Sequence, residues 1–160
     1  NNYGTAIFQG DMVIPVTGGN IERYPGNTST AVVGVFNGVF YTDPTTQKPT
    51  FKNYYPGGVA AADITAFVVD DPDAVFLVDA DATFARADLF QNYSVTAVSG
   101  NTKTGNSEQQ LDVSVSGTTA TYVVQAIDIC QDPDNSDTSS ANANILVRIN
   151  NHFYRSGTGL

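Results

Sequence analysis

Asp132, Asp134 and Asp137 fall within Asp132-Pro133-Asp134-Asn135-Ser136-Asp137, a spacing at which loop carboxylates can turn toward one calcium ion. A helix-flanked calcium loop also needs glycine at its sixth position for the sharp turn and a bidentate glutamate at its twelfth. Asp137 and Ala143 stand there, and neither flank reads as helix, so the stretch is expected to be a solvated acidic loop. His152 is the only histidine and Cys130 the only thiol, which excludes a His-rich or Cys/His zinc site and any internal disulfide. No Gly-x-Ser-x-Gly elbow accompanies His152, and neither a Walker loop nor a Gly-x-Gly-x-x-Gly turn occurs. No metal and no cofactor are expected.

Val75-Phe76-Leu77-Val78-Asp79-Ala80-Asp81-Ala82-Thr83, an apolar run ending in Asp-x-Asp-x-Thr, resembles the first motif of haloacid dehalogenase-type phosphatases. The resemblance implies Asp79 as the nucleophile toward phosphorus and Asp81 as acid/base beside a magnesium ion. That chemistry needs a parallel sheet with crossover helices, a second acidic pair and a downstream lysine. The only lysine that follows is Lys103, within a Gly/Asn/Ser turn, and helical patterning is missing. The run reads as an apolar strand entering an acidic turn, so no catalytic residue is expected and the chain is not read as an enzyme. Asn27-Thr28-Ser29 and Asn92-Tyr93-Ser94 match the glycosylation sequon, as chance allows in a chain this rich in Asn, Ser and Thr.

The elements around these residues read as strands. Apolar or alternating runs occur at Thr5 to Phe8, Met12 to Val16, Ala31 to Tyr41, Ile64 to Asp70, Ala74 to Val78, Tyr93 to Val98, Leu111 to Val115, Ala120 to Ile129 and Ile145 to Ile149. Turn signals such as Gly18-Gly19, Pro25-Gly26-Asn27, Pro56-Gly57-Gly58 and Asp71-Pro72 separate them. Short strands at this spacing predict an all-β sandwich or barrel-like domain over 1–160, or two small β-modules sharing a core. At most one short helical turn is expected near 84–91, carrying Leu89 and Phe90 inward. The Gly/Ala-rich stretch 56–62 is the candidate seam, and 156–160 a polar tail without structure of its own.

A formal net charge of -9 removes the electrostatic basis for binding nucleic acid or anionic lipid. No apolar stretch approaches the ~20 residues of a membrane span, so a soluble chain is expected. Aromatics crowd Phe36, Phe40, Tyr41, Phe51, Tyr54 and Tyr55. Several must fill the core, but a turn-rich stretch cannot point every ring inward, and tyrosine suits interfaces. Phe51, Tyr54 and Tyr55, with Phe153 and Tyr154 after the last strand, are the candidate contact residues.

Gly10-Asp11-Met12-Val13, then Gly19-Asn20-Ile21, then Val33-Gly34-Val35-Phe36-Asn37-Gly38-Val39 resemble the opening of small structural proteins of tailed phages, particularly phages of marine bacteria and cyanobacteria. The likeness continues through Tyr41-Thr42-Asp43-Pro44, Tyr54-Tyr55-Pro56-Gly57, Asp70 to Phe76 and Val147 to His152. It implies a β-rich capsid decoration or cement protein on the outer surface of the virion, assembled in the host cytoplasm, with the major capsid protein as partner. Self-association is expected as well, a trimer before a dimer, because icosahedral lattices offer three-fold and two-fold sites. Two other readings share the composition: a tail or collar component, and a carbohydrate-binding β-sandwich whose exposed tyrosines stack on sugar rings.

Overall fold

The computed structural model describes residues 3–26, 29–157 and 159–160. The protein is all-β, with two antiparallel five-stranded sheets and no closed barrel. The first sheet holds β1 (Met12–Val16), β2 (Asn20–Arg23), β3 (Gly34–Thr42), β4 (Pro49–Lys52) and β5 (Thr65–Val69). The long strand β3 organises it: β1 and then β4 lie along one edge, and β5 along the other. The second sheet holds β6 (Val75–Asp79), β7 (Asn92–Val95), β8 (Leu111–Gly117), β9 (Val124–Ile129) and β10 (Asn144–Ile149), in the order β6-β10-β9-β7-β8. This sheet curls until Ala80, just past β6, makes a single bridge to Leu111 at the start of β8.

Period-two alternation sends neighbouring residues of the first sheet to different cores. Met12 and Val32 belong to the cluster built on the second sheet, with Tyr24, Phe84, Tyr93, Leu111 and Ile145, while Ile14 and Val35 pack against it. Val13, Val33, Phe36, Val39 and Tyr41 point the other way, where Ile7, Tyr55 and Ala61 cover them. Both faces of the first sheet are thus dressed near β1, which explains why β1 and the start of β3 read as continuous apolar runs.

A buried carboxylate locks the two sheets together. Asp11 is fully buried. Its Oδ2 accepts the Phe8 N–H at 2.8 Å and lies 3.1 Å from Arg23 Nε, and its Oδ1 accepts the Ser107 hydroxyl at 2.6 Å. Gln109, from the same connection as Ser107, accepts the Met12 N–H at 2.9 Å and donates to the Tyr24 carbonyl. Arg23 also donates to the Val98 carbonyl. Burial pushes the Asp11 carboxyl above the usual carboxylate range, against the downward pull of Phe8, Ser107 and Arg23.

Several elements differ from the sequence reading. Thr5 to Phe8 contributes only a bridge from Ile7 to Tyr55. β2 and β4 were not anticipated; each is four residues long and exists because a hairpin partner supplies its hydrogen bonds. The change of sheet falls at 70–74, where the Asp71 carbonyl accepts the Ala74 N–H at 3.1 Å and its carboxylate the Asp73 N–H at 2.8 Å. The stretch 56–62 lies instead within the first sheet, between β4 and β5, with Ala61 buried. The short turn near 84–91 is a 3-10 turn at Arg86–Asp88, and two more occur at Pro133–Asn135 and Phe153–Arg155. Leu89 packs against the core as expected, but Phe90 does not. A left-handed backbone at φ 66 lets its N–H reach the Ala126 carbonyl and leaves the ring 74% exposed. In the tail, Thr158 lies outside the described residues, and the Ser156 hydroxyl donates to the Phe153 carbonyl at 2.8 Å.

Replacing Asp11 with Ala removes the acceptor of the Phe8 N–H and of the Ser107 hydroxyl and the counter-charge beside Arg23 Nε at the joint between the sheets. The expected loss is ~3–5 kcal/mol, measured as a shift of the urea midpoint at constant slope.

Candidate binding surface

Three phenylalanines from adjacent strands share one face of the first sheet. Phe40 on β3 is directly opposite Phe51 on β4, and the Phe51 ring lies 5.8 Å from Phe67 on β5, tilted by 51°. They are 37%, 63% and 45% exposed, and Val69 continues the face along β5. A register shift between Phe36 and Gly38 produces the arrangement. Phe36 faces the core, the bulge absorbs one residue, and Phe40 comes out on the solvent side while Val39 and Tyr41 stay inside. Gly38 sits beneath the rings: a Cβ there would be 3.0 Å from Phe51 Cζ, on a backbone at φ +131 that L side chains rarely adopt. The missing side chain lets Phe51 lie across β3 to meet Phe67, the partner of Gly38 in the ladder.

Of the five contact residues read from the sequence, Phe51 alone belongs to this face. Tyr54 is half-buried, stacked on Phe8 at 5.5 Å with the Lys52 ammonium 5.7 Å above its ring. Tyr55 is not available for contact: it is buried in the first-sheet cluster, and its hydroxyl donates to the Tyr3 carbonyl and accepts the Val59 N–H. Phe153 packs half-buried against the same cluster. Tyr154 is exposed, its hydroxyl donating to Asp70 Oδ2 at 3.0 Å, while Arg155 pairs with Asp73. The C-terminal turn therefore pins the 70–74 connection between the sheets. Phe40 and Phe67 were missed because a bulge cannot be read from alternation; Thr65-Ala66-Phe67-Val68-Val69 carried the only signal, an apolar run with no mark of which side is covered.

The acidic motifs are tied into the backbone. Asp79 Oδ2 accepts the Gln110 amide at 2.7 Å and Asp81 Oδ1 the Val113 N–H at 2.9 Å, so the pair fastens the end of β6 to the start of β8. The strand bearing them is an antiparallel edge strand, not part of the parallel sheet that aspartyl phosphoryl transfer of that type uses. Asp132 caps the Pro133–Asn135 turn through the Asp134 N–H. Asp137 accepts from the Ser139 and Ser140 hydroxyls, which hold its carboxyl below the usual range. Asn135, between them, is buried and bonds the Cys130 and Asn144 carbonyls. Among the described residues no three His, Cys, Asp or Glu side chains are grouped to hold a metal ion. The Asn92 side chain is buried and donates to the Thr119 carbonyl, which leaves it closed to a glycan, while Asn27 and Thr28 of the other sequon lie outside the described residues.

Two clefts accompany the aromatic face. One of about 640 Å³ opens on the opposite side of the first sheet, floored by Phe36, Val39, Tyr55 and Val68 with Glu22 among its lining residues. A smaller one of about 310 Å³ lies between the sheets, along Phe76 to Asp79 and against Met12 and Val35. Comparison with protein-family models, with curated proteins and with solved structures returned no match.

His152 is buried where the C-terminal turn meets the first sheet. Its Nδ1 accepts the Tyr154 N–H at 3.2 Å, and Nε2 has no partner among the described residues. Burial lowers its pKa, the Arg155 charge adds to this, and Asp70 and Asp71 oppose it. A histidine with a depressed folded pKa contributes full stability above its unfolded value, ~6.5, and loses it as pH falls from there toward the folded value. Being the only histidine, it should give a decline in urea midpoint between pH 7 and pH 5 that His152→Gln removes. For the aromatic face, Gly38→Val should cost ~1–3 kcal/mol from backbone strain and displace the Phe51 ring, readable as a changed Phe51–Phe67 nuclear Overhauser contact.

Proposed function

We propose that this chain is a non-catalytic structural protein of a tailed-phage particle, bound to the outer surface of the assembled head, which it stabilises as a decoration or cement protein. The observation that carries the proposal is the Phe40–Phe51–Phe67 face. Rigid aromatic rings held on neighbouring strands give large contact area with little rotamer entropy to lose, the properties of interface anchors. Exposing them in the free protein is unfavourable by ~1.5–3 kcal/mol per fully exposed ring relative to burial, a cost that a docking surface recovers. The resemblance of Gly10 to Val13, Val33 to Val39 and Val147 to His152 to small structural proteins of tailed phages favours the major capsid protein as the partner. Binding only the assembled shell would stabilise it by mass action, without any catalytic step.

Quantitative mass spectrometry of purified particles tests this directly. A copy number near that of the major capsid protein is the expected result, a few copies would place the chain at the tail or collar, and absence would overturn the virion reading. Adding purified protein to particles that lack it should raise their thermal stability. A Phe51→Ser, Phe67→Ser double variant that folds normally should fail to bind, and undiminished binding would show that the aromatic face is not the contact.

A further inference from the structure

A strand at the edge of a sheet leaves backbone N–H and C=O groups unpaired, and proteins commonly guard such edges with charge, proline or a cover. In the first sheet β2 carries Glu22 and Arg23, and β4 carries Pro49 and Lys52. In the second sheet the edge strands β6 and β8 are fastened to each other. Ala80 bridges Leu111, the Asp81 N–H bonds the Leu111 carbonyl, and Asp79 and Asp81 hold the Gln110 amide and the Val113 N–H. β5 has neither guard nor cover. It pairs with β3 alone, and Thr65-Ala66-Phe67-Val68-Val69 contains no charged residue and no proline. Among the described residues no backbone hydrogen bond outside that ladder reaches 65–69.

We propose that a second copy of this chain pairs with the free edge of β5, antiparallel and about a two-fold axis at Phe67. The direction of the backbone groups makes this edge self-complementary. The Val69 carbonyl is turned toward β3, where it would meet a Cβ on Gly34. Alternation along the strand then turns the N–H and C=O of Val68 and Ala66 to the open side. A two-fold at Phe67 sets Ala66 opposite the second copy's Val68, and the two exchange N–H···O=C bonds, so the outward groups of both residues are met. Phe67 comes opposite Phe67 as a non-hydrogen-bonded pair, the kind in which side chains lie closer, and aromatic pairs so placed are favourable. Thr65 comes opposite Val69. Because Phe51 already meets Phe67 within one copy, the ring rows of both copies join across the axis. Ala66 and Val68 stay on the other face, along the larger cleft.

Charge selects the register. With the axis at Phe67 the paired residues 65–69 are all uncharged. Moving it to Ala66 would set Asp63 against Val69, and moving it to Val68 would set Asp70 against Ala66 on the cleft side. In the chosen register Asp63 and the second copy's Asp71 come opposite one another just outside the paired segment, but each is already held: Asp63 by the Thr42 N–H and hydroxyl, Asp71 by the Asp73 N–H. The match is of one patch to itself, which generates a closed two-fold dimer rather than the trimer expected from lattice symmetry. The pairing uses the backbone edge of β5 and forms in the free chain, so dimerisation and head binding can fail independently.

Sedimentation equilibrium of the full chain over a range of concentrations tests the proposal. The mass should rise toward twice the 17.0 kDa of one chain. Thr65→Glu combined with Val69→Glu sets like charges opposite one another across the axis and should return the mass to one chain with unchanged circular dichroism. Thr65→Lys combined with Val69→Glu sets opposite charges at the same places and should keep the dimer, which a merely damaged strand would not do. In a Cys130→Ser background, Phe67→Cys should form a disulfide-linked dimer under copper-catalysed air oxidation, because the two-fold places this residue opposite itself, whereas Phe51→Cys should not. This cross-link reads the register even if a doubly charged variant folds poorly. A monomer at all concentrations, a trimer, a natively folded glutamate pair that stays dimeric, or no cross-link through residue 67 would overturn it.

Discussion

The two sheets share a hydrophobic core, and the polar joint between them is organised around one buried carboxylate. Asp11 is reached by a backbone N–H from the N-terminal segment, by Arg23 from the β1–β2 hairpin and by Ser107 from the connection before β8. A charge in such a position is costly to bury and tolerable only when its lone pairs are met. Each partner comes from a different part of the chain, so the satisfied state exists in one mutual arrangement of the sheets. Gln109 extends the same lock to Met12 and Tyr24. Burial by itself raises the Asp11 pKa, so this contact is better understood as specifying the arrangement than as adding to stability.

With the sheets held, the first sheet divides along β3. Its β1 end has both faces covered, one by the second sheet and one by the Tyr55 to Ala61 segment. Its β4–β5 end extends beyond the second sheet, and there Phe40, Phe51 and Phe67 stand in solvent. The bulge after Phe36 and the absent side chain of Gly38 are what allow three rings to lie together on that end. An exposed apolar face on a chain of net charge -9 is the feature that most invites a partner.

Several of the acidic residues hold turns and strand ends by accepting backbone and hydroxyl hydrogen bonds. Asp43 accepts the Thr45 and Thr46 N–H groups, Asp63 holds Thr42 by its N–H and hydroxyl, and Asp71, Asp132 and Asp137 close turns of their own. The carboxyls of Asp43, Asp63 and Asp137 are lowered by these bonds, as expected where donors meet the charged form. The same residues read along the chain look like metal or phosphate motifs because both uses favour short side chains carrying oxygen.

Strand content was legible in the chain because alternation and turn residues are local: Met12 to Val16, Leu111 to Val115 and Ile145 to Ile149 follow directly from side-chain period and flanking Gly, Asn or Pro. The acidic turns and the absence of helical patterning were legible for the same reason, as was Phe51 as an outward-facing ring. Tyr55 and Phe90 were not, since one is drawn inward by a bridge to Ile7 distant in sequence and the other turned outward by a left-handed backbone. Asp11 looked like part of a short motif, and only the approach of Arg23 and Ser107 made it the joint of the molecule. Local patterning determined which segments become strands. Which sheet each strand joins, which face is covered and which rings remain in water depend on contacts between residues far apart in the chain, and those exist only once it has folded.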